Sequence, residues 1–259
     1  MVVKNLIYKE LFQLRWILLI GLLFNVGTAV IIVATFHYLS GLVTEIPGDI
    51  VEMLAQYDIT RDLLLIFEDY TVYVWSQWHA KNLFQIGALI VIITTSTQFA
   101  GEASKGTISF YLTRPVNRIL GFSAKAAAGF ILVAIMVISG IAVTWIISLT
   151  VGLEAAWGYL FSATLLSFSW LFVYYLLGCV VSILNREPIM AGVVTGLVGI
   201  ALSIPGFFAS TRYLSLFYQM RATDYIILNG SFWPNLGVSL VVNVLIFIIA
   251  YRVFRIKDF

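Results

Sequence analysis

Over most of this chain apolar residues neither alternate nor keep to one helical face. They run on, with little polar interruption, for lengths that match or exceed a membrane's thickness. Roughly 20 apolar residues cross a hydrocarbon core about 30 Å thick, and six runs meet that need: residues 16–36, 83–100, 120–151, 159–184, 189–208 and 236–254. Backbone polar groups in lipid must be satisfied within the segment, so each run is predicted to be a helix. The third is longer than a bilayer requires and should tilt or protrude. The fold class that follows is an all-α integral membrane protein with six transmembrane helices, forming a single transmembrane domain over 1–259.

The intervals between the runs carry their own patterns. Residues 1–15 set Val3, Ile7, Leu11 and Leu14 along one side of a helix, with Lys4, Lys9, Glu10 and Arg15 mostly elsewhere. An amphipathic N-terminal interface helix in the headgroup plane is expected; a plain extension of the first span is the simpler alternative. The interval 38–81 is too long for a turn and rich in aromatics. Ile50, Met53, Leu54 and Tyr57, then Leu63, Leu64, Phe67 and Tyr70, predict two short amphipathic helices. Asp49, Glu52, Asp58, Asp62, Glu68 and Asp69 would be their solvated face, a better reading than a cation site, while Trp75 and Trp78 mark the return to the membrane boundary. Residues 209–233 are polar and aromatic, and fit either a broken re-entrant element or a surface helix. Pro188 is well placed to open the fifth span, and Gly192 with Gly196 suits close helix packing.

Composition and charge then fix class and orientation. The chain is 61% hydrophobic and 11% charged, against roughly a quarter charged in soluble domains. A net charge of +2 gives no reason to expect nucleic acid as a partner. With both termini on one side, that side holds Lys4, Lys9, Arg15, Lys105, Arg114, Arg118, Lys125, Arg186, Arg252, Arg255 and Lys257; only Arg61, Lys81, Arg212 and Arg221 lie opposite. The positive-inside rule therefore predicts that both termini are cytoplasmic. Cys179, the single cysteine, offers no intrachain disulfide. The first apolar block is too long for a signal peptide, so Met1–Phe259 is expected to be the mature chain.

Candidate chemistry is mostly excluded. As drawn, no span core contains an ionisable residue, although ion-coupled carriers need such groups in the membrane. His37 and His79, expected near the outer boundary, lack metal-ligand spacing, and no nucleophile has a recognisable base. The chain is therefore not expected to be an enzyme. Gly101 and Gly106 have the spacing of a phosphate-binding loop, but Thr107 stands where its lysine belongs. No ATP is expected to bind this chain directly.

The basic stretch Gly101–Lys125 remains. It carries Lys105, Arg114, Arg118 and Lys125 against the single acid Glu102. Gly106 permits a backbone break, residues 107–113 suffice for two helical turns, and Pro115 ends one helix and starts another. A short cytoplasmic coupling helix within the loop 101–119, between spans two and three, is predicted. Phe110, Tyr111 and Leu112 would offer an apolar knob and Arg114 and Arg118 charges for a partner's carboxylates. On physics alone, an ordinary loop touching lipid phosphates carries equal weight.

Glu102, then Lys105-Gly106-Thr107, then Leu112-Thr113-Arg114-Pro115-Val116-Asn117-Arg118 resembles the loop between the second and third spans of ABC type-2 permeases. The resemblance in sequence covers residues 102–118; in architecture it extends to the whole chain. It implies a permease that dimerises with a second copy or a sister permease and docks a cytoplasmic ABC ATPase subunit, which binds the ATP and Mg. By the same resemblance Glu102, Arg114 and Arg118 make polar contacts with that subunit, Gly106 and Pro115 shape the element, Phe110, Tyr111 and Leu112 fill its cleft, and Thr107 belongs to the same coupling set. The implied function is export of an amphipathic drug, lipid or peptide, or force transmission, at a prokaryotic plasma membrane with membrane lipid around the spans. The alternative is a non-transporting membrane assembly or scaffold protein.

Overall fold

A computed structural model describes residues 2–44, 66, 69–107 and 117–257. The two short amphipathic helices expected before the second span fall almost wholly outside the described residues, as do Phe110, Tyr111, Leu112, Arg114 and Pro115. Six helices are long and apolar enough to cross a membrane, and no strand occurs among the described residues.

The first helix, α1 (Val2–Thr44), is 43 residues long and uninterrupted. The separate interface helix expected over residues 1–15 is not found, and the first span is extended at both ends. No proline interrupts the chain before Pro47, so nothing forces a break near Arg15. Arg15 instead lays its guanidinium over the Phe12 ring at 3.7 Å, within the helix. At 1.5 Å per residue α1 is about 65 Å long and must project well beyond a bilayer.

The second helix, α2 (Tyr70–Ser104), begins well before residue 83. The Asp69 carboxylate accepts the Thr71 amide at 2.7 Å and caps it. Two stretches, Trp75–Leu83 and Ser96–Ala100, are wound as π-helix on either side of an α-helical centre, Phe84–Thr95. The aromatics that looked like a boundary belt face inward. Trp78 is buried because Gly140 leaves room for it: a β-carbon there would lie 1.8 Å from the indole. His79, expected at the boundary, is also buried, its Nε2 3.0 Å from Thr164 Oγ1.

Helix α3 (Arg118–Val151) is capped by Asn117, whose side chain accepts the Ile119 amide at 3.1 Å, and ends at Gly152 in the left-handed region with φ 74°. Helices α4 (Trp157–Leu184) and α5 (Pro188–Ser203) follow, with Pro188 at the start of α5 as expected and a 3₁₀ turn, Ile204–Phe207, after it. Short elements α6 (Leu216–Met220) and α7 (Thr223–Ile227) precede α8 (Phe232–Ile256).

Helix α4 lies at the centre, in contact with α2, α3, α5, α6 and α8, while α1 packs chiefly along α3. Lipid tails provide no hydrophobic drive between helices, so close approach and polar contacts hold the bundle. Asn25 of α1 donates to Met136 O and Ser139 Oγ of α3 at 2.8 and 2.9 Å. Asn243 of α8 donates to Ser169 O of α4 at 2.9 Å, beside a 2.7 Å contact between Ser169 and Ser239 hydroxyls. The Gly192 and Gly196 pair seats α5 on Ile92 of α2.

Helices α3 and α4 also approach closely at Gly129 of α3, where a β-carbon would lie 2.0 Å from the Tyr175 hydroxyl oxygen of α4. Gly129→Ala is expected to destabilise the fold by about 1–3 kcal/mol through overpacking. Gly27→Ala, with open space at that position, should be neutral or slightly stabilising. Melting of the detergent-solubilised chain checks this, and equal melting of the two variants contradicts the packing described.

Candidate functional site

One residue breaks the apolar run of α3. Lys125 sits in Ser123-Ala124-Lys125-Ala126-Ala127-Ala128, a composition with no helix breaker, so the helix carries the ammonium inward rather than ending before it. Its side chain is 1% exposed. The expected span, 120–151, takes in Lys125, although its charge counts with the basic stretch 101–125; in the structure it lies seven residues into α3, near that helix's start at Arg118 and outside its core.

Lys125 Nζ lies 2.9 Å from Glu10 Oε2 of α1 and 2.9 Å from Glu102 Oε2 of α2. It also donates to Gln98 O of α2 at 3.1 Å. An ammonium has three protons; this one donates to Glu10 Oε2 and Gln98 O and is held by charge at Glu102 Oε2. Lys9 Nζ closes the group from the rim, 3.4 Å from Glu10 Oε1 and 3.3 Å from Glu102 Oε1. Its side chain is 43% exposed, against 2% for Glu10 and 9% for Glu102. Two ammoniums and two carboxylates give a neutral cluster.

Local structure in α2 makes the arrangement possible. Gln98 and Ala100 lie in the π stretch Ser96–Ala100, where the widened ladder meets partners outside the helix. The Ala100 amide donates to Ser182 Oγ of α4 at 3.0 Å. Gln98 Nε2 donates back to Lys125 O at 3.3 Å. Tyr175 of α4, held against Gly129, donates to Gln98 Oε1 at 2.6 Å. Phe99 places its ring 5.6 Å from the Lys125 ammonium. Four helices therefore meet around one buried charge.

The loop leaves the bundle from this cluster. Beyond Glu102 the chain turns at Lys105 and Gly106, where Gly106 takes φ 68°, a conformation that favours glycine. Thr107 is exposed, and its hydroxyl donates to Glu102 O at 3.1 Å. At the other root, Arg118 Nη1 donates to Arg255 O of α8 at 2.7 Å, and Lys257 Nζ reaches Leu184 O at the end of α4 at 3.2 Å. Of the loop residues singled out from sequence, Gly106, Thr107 and Arg118 are thus exposed around the loop's roots. Glu102 faces inward, its carboxylate already committed to Lys125 and Lys9.

Sequence reasoning did not single out Lys9, Glu10, Gln98, Lys125 or Tyr175. The available signal was a lysine flanked by alanines with no break before it, downstream of a glutamine and a glutamate four residues apart at the end of α2. Among the described residues no group of three or more His, Cys, Asp or Glu side chains forms a metal site. Chemically, the cluster is a joint whose charges neutralise one another, with the Tyr175 phenol and the Cys179 thiol buried beside it.

The chain belongs to the family described as Protein of unknown function (DUF2705), which matches residues 71–259. That range takes in α2 to α8, including Gln98, Glu102, Lys125 and Tyr175. No curated protein matches the chain.

Removing one partner from a buried ion cluster leaves an uncompensated charge and costs about 3–5 kcal/mol. Lys125→Met is expected to lose stability on that scale. Adding Glu10→Gln to it restores neutrality, with Lys9 and Glu102 still paired, and should recover most of the loss. A double variant that melts no higher than Lys125→Met would contradict the charge balance.

Proposed function

We propose that this chain is the permease subunit of an ATP-binding cassette exporter, driven through the loop between α2 and α3 by a separate cytoplasmic ATPase subunit. The observation that carries this reading is the anchorage of the loop. Its first root, through Glu102, and its second arm, through Lys125, share one buried ion cluster with Glu10 of α1. Arg118 also ties the second root to α8. A load applied to residues 105–117 therefore reaches α1, α2, α3 and α8 together, as conversion of a local push into helix movement requires.

Other features support the same reading. Six apolar helices of membrane length suit a multi-pass permease. The distribution of Lys and Arg favours cytoplasmic termini and a cytoplasmic loop, in a prokaryotic plasma membrane. The phosphate-loop spacing lacks its lysine, so ATP and Mg would be bound by the partner. Residues 102–118 resemble the corresponding loop of ABC type-2 permeases, and that resemblance implies a dimer with a second copy or a sister permease. Apolar, lipid-facing helices favour an amphipathic cargo, or force delivered to an outer partner, over a free inorganic ion.

Buried charges also occur in ion-coupled carriers. Here each carboxylate already has an ammonium within 2.9–3.4 Å, an arrangement suited to a permanent joint rather than to a seat that loads and releases an ion.

Co-purification tests the proposal. The tagged chain, expressed with its neighbouring gene products and solubilised in detergent, is expected to retain an ATPase carrying phosphate-loop motifs. Arg114→Glu should reduce that retention by about tenfold or more, the scale of one lost charge-assisted contact. Failure of the unaltered chain to retain any ATPase contradicts the exporter reading and favours a non-transporting membrane scaffold.

A further inference from the structure

The segment between α5 and α8 folds back into the bundle instead of lying across its end. Leu216, Phe217 and Met220 of α6 are buried. The Phe217 ring meets Phe84 of α2 edge-on at 4.7 Å and Tyr174 of α4 at 5.5 Å. Phe84 lies roughly 20 Å along α2 from its start at Tyr70, so α6 reaches to the depth of helix interiors. Non-helical backbone survives at such depth only when packed in protein, and Trp75 Nε1 duly donates to Arg221 O at 2.8 Å.

Arg221 ends α6 and carries a charge at this depth. Its guanidinium carbon stands 5.0 Å from the Phe84 ring centre. The residue is half-buried, and its Nε is enclosed without a hydrogen-bond partner. Among the described residues no carboxylate lies within ion-pair distance of it. The nearest acid in sequence, Asp224, is committed elsewhere: it accepts the Tyr218 hydroxyl at 2.5 Å. Arg212, the other cation of the segment, lies over the Tyr218 ring at 5.4 Å.

The backbone next to Arg221 is strained. Ala222, buried and not glycine, takes φ 52° and ψ 33°. Residues held in the left-handed region persist only where their surroundings over-determine them, and they cluster at ligand clamps. Here the strain fixes the turn that presents Arg221. The same segment exposes Phe207, Phe208 and Leu214, which suits it to contact acyl chains.

A guanidinium cannot discharge its proton, and half-buried against the bundle with its Nε unpartnered this one calls for a counter-charge. Its planar fork matches phosphate oxygens bidentately. An anion reaching it along the exposed apolar flank of Phe207, Phe208 and Leu214 is best carried by an apolar body. We propose that Arg221 anchors a lateral binding site for a phosphate-bearing amphipath of the anionic phospholipid class, with the guanidinium paired to the phosphate and the acyl chains along the apolar surface of residues 204–231. This site does not depend on the exporter reading, since it concerns what the bundle holds and not what drives it.

Native mass spectrometry of the full chain tests it. The purified protein is presented with an equimolar mixture of phosphatidylglycerol and phosphatidylcholine. The unaltered chain is expected to retain phosphatidylglycerol over phosphatidylcholine by about tenfold, the factor a charge-assisted hydrogen bond supplies. Arg221→Gln should bring the ratio near one, while Arg212→Gln keeps it. Equal preference in the unaltered chain and Arg221→Gln overturns the site. If Arg221→Gln does not fold, the unaltered chain decides alone, and absence of a phosphatidylglycerol preference overturns it. Sodium phosphate at the same molar concentration should leave the lipid bound; displacement by it would show that a free anion, not an amphipath, is the ligand.

Discussion

The Lys125 ammonium, held at 2.9 Å between the carboxylates of Glu10 and Glu102, constrains everything at its end of the molecule. A buried ion costs several kcal/mol in desolvation, a cost offset only by close pairing and complete hydrogen bonding. Each neighbouring helix therefore has to bring its partner to the same point: α1 its glutamate, α2 its glutamate and a carbonyl, α4 the tyrosine that orients Gln98. Helix packing in lipid is otherwise weakly specified, because one apolar face suits another. The ion cluster supplies a register that apolar contact cannot.

Two backbone features follow from that demand. The π stretch Ser96–Ala100 lets the Gln98 carbonyl and the Ala100 amide make bonds to α3 and α4 that a regular α-helical ladder would have kept to itself. Gly129 then lets the Tyr175 phenol reach Gln98 without a clash. At the opposite end, the second π stretch, Trp75–Leu83, and Gly140 play the same parts around Trp78. The α-helical centre of α2 is thus bracketed by two regions whose backbone is shaped by its neighbours. The loop proposed to receive force emerges directly from one of them.

Much of the fold was legible in the sequence, for a simple reason. Runs of 20 or so apolar residues have few alternatives to a spanning helix, and Pro188 and Gly152 mark the ends of their elements by conformational preference alone. What was not legible depended on partners distant in the chain. Trp75 and Trp78 read as a boundary belt until Gly140 is seen to make room for the indole. Residues 1–15 read as an independent amphipathic helix, since no local signal says that Glu10 is matched by a lysine on α3. Lys125, inside the expected third span, counted only as one of the basic charges beside the loop because charge argues for water, and only pairing with two carboxylates turns it inward. The loop's anchorage, unlike its basic character, is a tertiary property.

The account stands on the claim that Lys125 binds the amino-terminal helix and both arms of the loop into one mechanical unit. Hydrogen exchange on the full chain in lipid nanodiscs, read for residues 4–14 of α1 and 98–104 of α2, tests this most directly. With Lys125→Met the account predicts that both stretches lose protection while the centre of α4 keeps it. Unchanged protection of residues 4–14 would show that α1 is held by apolar packing alone and would contradict the claim.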